Sequence, residues 1–141
     1  MKQWIPAGIT ASIGLGVFLR AIEQITGNKV YTLLLNVDYI PVLNRVERYE
    51  IIEFSLHVIV SLLLAGVVWA ILKRRSWSGQ QKAIFTLTVS LLIGVLLYPS
   101  TLLSSRTPEL YDITAILWWM LGHLLYGFLL LIYPAYRSRS I

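Results

Sequence analysis

Glu50-Ile51-Ile52-Glu53-Phe54-Ser55-Leu56-His57 opens an apolar run that continues to Leu72. About twenty predominantly apolar residues are enough for a helix to cross a hydrocarbon core of roughly 30 Å. On such a helix Glu50, Glu53 and His57 stand at i, i+3 and i+7, along one face. Ionisable groups in a segment of this kind are costly, and they turn toward a bundle interior or an aqueous cavity. The stretch therefore predicts a membrane-spanning helix with a polar stripe at its start. Other helices must supply what that stripe faces.

Three more runs have the required length, so the expected spans are 5–25, 51–72, 83–103 and 113–133. Residues of the AVILMFWYC set make up 57% of the chain and charged residues 13%, against about 25% charged in soluble domains. The fold class follows: an all-α membrane protein, one four-transmembrane-helix bundle over residues 1–141, with no separate soluble domain. With no cysteine present, disulfides and thiol chemistry are excluded. Lys2 ahead of an apolar run has the outline of a secretory leader. That run is too long and carries Arg20, so the first helix is expected to be retained.

The net charge of +5 reads as topology once its bearers are located. Lys2, Lys73, Arg74, Arg75, Lys82, Arg137 and Arg139 fall on the N-terminus, the second loop and the C-terminal tail. Lys29, Arg45, Arg48 and Arg106 fall on the other side, diluted by Asp38, Glu47 and Glu109. Lysine and arginine mark the cytoplasmic face. Both termini are expected there, in a bacterial cytoplasmic (inner) membrane. No basic-aromatic platform accompanies the charge, so nucleic acid is not an expected partner.

Within helix one, Gly8, Ser12 and Gly16 recur every fourth residue, a small-residue stripe that lets another backbone approach. The approaching helix would belong to the same bundle, a partner membrane protein or a second copy. Residues 30–42 are apolar but too short to span, and fit an interfacial or re-entrant piece over the outer mouth, either a lid that shields a site or a plain tether of the loop to the bilayer. The short basic loop 73–82 predicts that the second and third helices pack as antiparallel neighbours. Thr86, Ser90, Gly94, Tyr98 and Thr101 form a second small and hydroxyl stripe, read as packing with hydroxyls bonding back to the helix backbone. Pro99 is expected to kink or end the third helix, and Pro134 to stop the fourth.

A rise of about 1.5 Å per residue places Glu53 ~3 Å, Arg20 and Tyr98 ~7 Å, His57 ~9 Å and His123 ~15 Å below the outer boundary. Every helix thus contributes a polar group to the outer half, and the inner half holds apolar and small residues. The expected ligand or proton pocket comprises Arg20, Glu23, Glu50, Glu53, His57, Tyr98, His123 and Tyr126. An ion, a proton or a lipid headgroup would suit it, as would support of a membrane assembly. The alternative is a membrane-embedded enzyme acting on lipid-linked substrates, with a histidine as general base and Arg20 on a phosphate or oxyanion. No cofactor is predicted; Glu53, His57 and His123 are the candidate metal ligands. A purely structural network, Arg20 pairing with Glu23, Glu50 or Glu53, accounts for the same residues.

At His123-Leu124-Leu125-Tyr126-Gly127, together with the glycine-rich first helix, the chain resembles uncharacterised small bacterial inner-membrane proteins of three to four helices. The resemblance covers the layout and this five-residue motif, and implies that His123 and Tyr126 act together on a shared ligand.

Overall fold

The computed structural model describes residues 3–43 and 49–137. Lys2, Arg45, Glu47, Arg48 and Arg139 of the charge pattern lie outside the described residues. Each apolar run forms a helix, since a helix satisfies its own backbone N–H and C=O groups without water. These are α1 (Trp4–Thr26), α3 (Glu50–Lys73), α4 (Gly79–Leu97), continued by a 3₁₀ segment (Tyr98–Leu103), and α5 (Ile113–Leu131). All four are long and apolar enough to cross a membrane. Two short helices, α2 (Val30–Leu34) and α6 (Pro134–Arg137), follow α1 and α5. Among the described residues there is no strand.

The helix ends follow from local chemistry. Gly27, at φ 76°, closes α1 by donating its N–H to Glu23 O, a left-handed conformation that glycine adopts without a side-chain clash. α4 begins earlier than residue 83 because Ser78 and Gln81 form a reciprocal capping box, satisfying two otherwise orphaned N–H groups. Lys82, expected in the loop, is therefore a buried residue of the first turn. Pro99 sits where the α-helix tightens into the 3₁₀ segment. Asp112 caps α5 through Ala115 N, and Pro134 starts α6 at the position where its missing N–H costs nothing.

Packing runs in the order α3, α1, α5, α4. The second and third spans, α3 and α4, scarcely touch, contrary to the expectation from their short loop. The glycines explain this, because each one admits a different neighbour. A Cβ at Gly8 would lie 3.0 Å from Leu62 Cδ2 and 3.1 Å from Ala65 Cβ on α3. One at Gly122 would lie 2.8 Å from Leu15 Cδ1 of α1, and one at Gly127 would lie 2.9 Å from Ser90 Oγ of α4. Close approach is thus built at α1 with α3, α1 with α5, and α4 with α5. The Gly8, Ser12 and Gly16 stripe is covered by α3 of the same chain, so it is not a face left open to a second copy.

Between α3 and α4 a gap remains, backed by α1 and α5. α6 closes one end, where Tyr136 donates its hydroxyl to Ala65 O at 2.8 Å. Burial raises the Tyr136 phenol well above its ordinary range. At the other end α2 packs on α1, α5 and the 3₁₀ segment, with Val30, Leu33 and Leu35 buried. Residues 30–42 are a lid on the bundle.

Candidate functional site

The gap encloses a cavity of about 220 Å³. Glu53, His57 and Ser61 line it from α3, Trp119, His123 and Tyr126 from α5, and Asn36, Val37 and Ile40 from the lid. The shared helical face of Glu53, His57 and Ser61 turns toward the face of Trp119, His123 and Tyr126, although the two backbones do not pack. Tyr126 bridges them, donating its hydroxyl to Ser61 O at 2.8 Å.

Each imidazole is held by a backbone carbonyl. His57 donates from Nε2 to Ser12 O at 3.3 Å, across the close approach that the α1 stripe permits. His123 donates from Nδ1 to Trp119 O at 2.9 Å, one turn back on its own helix. Its ring lies against Gly94 and 4.6 Å from the Trp119 ring centroid. Trp119 in turn donates Nε1–H to Gly94 O at 2.9 Å. Among the described residues no protein group pairs with His123 Nε2, and it is not among the fully enclosed unpartnered atoms.

Four of the eight expected pocket residues, Glu53, His57, His123 and Tyr126, line the cavity; Arg20, Glu23, Glu50 and Tyr98 do not. Arg20 Nη1 meets Glu50 Oε1 at 2.6 Å with both side chains about half exposed, at 54% and 53%. An ion pair so exposed is worth at most about 1 kcal/mol. Glu50 also accepts from Tyr31 OH at 2.9 Å. Burial, then this bond to a carboxylate, push the Tyr31 phenol up to about 12. Glu23 accepts from Thr32 N and Oγ1 at 2.8 and 2.7 Å, fixing the start of the lid. Tyr98 donates to Glu109 O and sets its ring edge against Trp119. Arg20, Glu23 and Glu50 hold the lid, and Tyr98 holds Trp119.

The lid's far side is pinned by residues not singled out from sequence. Arg106 reaches Asp38 through Nε at 3.2 Å and Nη2 at 2.9 Å, and Glu53 at 3.5 Å. The Asp38 bonds raise the guanidinium above its usual range. Ser104 donates to Asp38 Oδ2 at 2.6 Å, and Asn36 Nδ2 to Ser100 O at 3.5 Å. The signal for this was the pair Asn36 and Asp38 in an otherwise apolar segment. Asn36 Oδ1 accepts from Asp38 N at 3.1 Å, an Asx turn.

Among the described residues no three His, Cys, Asp or Glu side chains come together as a metal-holding group, so Glu53, His57 and His123 do not converge on one ion position. On α4, the buried Thr86 hydroxyl finds no partner, so the expected bond back to its helix is not made there. Compared with protein-family models, curated proteins and solved structures, the chain matches none.

Proposed function

We propose that this multi-pass membrane protein binds an amphiphile drawn from the bilayer, its chain entering between α3 and α4 and its polar end reaching Glu53, His57 and His123. One observation carries the reading. The cavity wall is continuous with the lipid-facing surface, since Ile59, Val60 and Leu97 both line it and stand 53%, 56% and 40% exposed. A pinned lid covers the outer end, so the apolar side is the open one. The polar groups lie in the half of the bundle assigned to the outer leaflet of a bacterial inner membrane by the lysine and arginine pattern. Binding rather than chemistry is the reading adopted. The unpartnered Nε2 of His123 favours the second reading, a general base acting on a lipid-linked substrate.

Leu97→Trp and Val60→Trp fill the opening, whereas Leu96→Trp adds the same bulk to an exposed position outside the cavity lining. Excluding two methylenes of a chain removes about 1.6 kcal/mol of burial, roughly tenfold in affinity. Mass spectrometry of amphiphiles retained through purification should show that loss for the first two variants only. Equal retention in all three overturns the proposal.

A further inference from the structure

We infer that the amphiphile's polar end donates hydrogen bonds and carries no negative charge, a hydroxyl or an ammonium on an apolar chain. This rests on the cavity being a ligand site, and it follows from what its wall has left to offer. A neutral imidazole has one N–H and one lone pair. His57 gives its N–H to Ser12 O and His123 gives its own to Trp119 O. The lone pairs on His57 Nδ1 and His123 Nε2 are what remain. Tyr126 and Trp119 have likewise given their hydrogens to Ser61 O and Gly94 O. Glu53 adds a carboxylate, an acceptor when ionised. The Ser61, Ser100 and Tyr39 hydroxyls rotate to either role and decide nothing. Asn36 spends one amide hydrogen on Ser100 O and keeps one N–H, the single fixed donor against these acceptors.

Among the described residues no lysine or arginine lines this wall for an anion to use. Arg20 is outside the cavity, and Arg106 is held by two contacts to Asp38 with a third to Glu53. An anionic headgroup would face the Glu53 carboxylate and two lone pairs across a low-dielectric space, where like charge is most costly. Size points the same way. A cavity of about 150 Å³ admits one benzene ring, so 220 Å³ holds a ring or a short length of chain with a small polar end.

The test uses protein in nanodiscs of zwitterionic phospholipid and four probes with the same diazirine-tagged chain: hexadecanol, hexadecylamine, hexadecanoic acid and hexadecyl phosphate. Light-induced labelling of the α3 and α4 peptides that an untagged competitor suppresses is read by mass spectrometry. The alcohol or the amine should label at least about fivefold more than either anion, the worth of one retained hydrogen bond. Equal labelling by all four, or preference for an anion, overturns the inference while the cavity still stands as a ligand site. Labelling by none removes both. An alcohol preference should fall in His123→Phe and an amine preference in Glu53→Gln. If both variants label as wild type does, the acceptor assignment is wrong.

Discussion

Replacing Arg106 with alanine takes the guanidinium away from Asp38 and Glu53 at the lid end of the cavity, two carboxylates whose side chains are only 14% and 9% exposed. Hydrogen bonds to charged groups contribute about 1.5–3 kcal/mol, so the variant should lose roughly 2 kcal/mol in thermal unfolding in detergent. Arg106→Lys should recover only part of that, because lysine lacks the planar fork that holds Asp38 through two nitrogens. Thr86 works in the opposite direction. Its hydroxyl is buried without a partner, so Thr86→Val should raise stability by about 1 kcal/mol. A Thr86→Val protein that unfolds earlier than wild type would mean that the hydroxyl has a partner. Arg20 had two readings from sequence, a pocket residue or a partner of Glu23, Glu50 or Glu53, and it makes the contact with Glu50. Its depth suggested a pocket residue, but an arginine side chain is long enough to reach a half-exposed glutamate at the rim.

Gly94 and Gly14 separate two uses of glycine in a helix. A Cβ at Gly94 would sit 2.9 Å from His123 Cγ and 3.2 Å from His123 Cβ, atoms too close to the backbone to swing aside. Gly94→Ala should therefore cost about 1–3 kcal/mol through overpacking and shift His123 away from Trp119 O. At Gly14 the neighbour is Leu129 Cδ1, the far end of a side chain, so Gly14→Ala should be close to neutral. Parallel thermal unfolding of the two variants checks the contrast, and equal losses would refute it. The four spans were legible because length and hydropathy alone determine them, and Glu53, His57, His123 and Tyr126, expected in one pocket, line one cavity. The start of α4 was placed too late, at residue 83, because the Ser78 and Gln81 capping pair that begins it was read as loop. Helix order was not legible, because a short loop limits separation without requiring contact, and glycines on three helices admitted other neighbours. The Asp38 and Arg106 pin joins two loops across 68 positions, which no local pattern encodes.

For the molecule as a whole, orientation is the prediction that governs the rest. Reporter fusions after Ser76 and after Ile141 should both report cytoplasm, and one after Leu43 should report the opposite side. A reporter at Ser76 on the outside would put the lid and cavity in the inner leaflet. The helix order also bears on how the protein is made. Nearly all of α4's packing is against α5, α6 and its own 3₁₀ extension, with little against α1 or α3. Until residues 113–131 emerge during synthesis, α4 has inserted without a partner, its Thr86, Ser90 and Gly94 face turned to lipid. The last long helix to arrive is the one that carries Trp119, His123 and Tyr126, and it joins α4 to the rest. A chain stalled before it can cross the membrane three times, yet it has no cavity for any amphiphile to enter. Site assembly therefore waits for α5, and a chain lacking it should retain no amphiphile and leave the Thr86, Ser90 and Gly94 face uncovered.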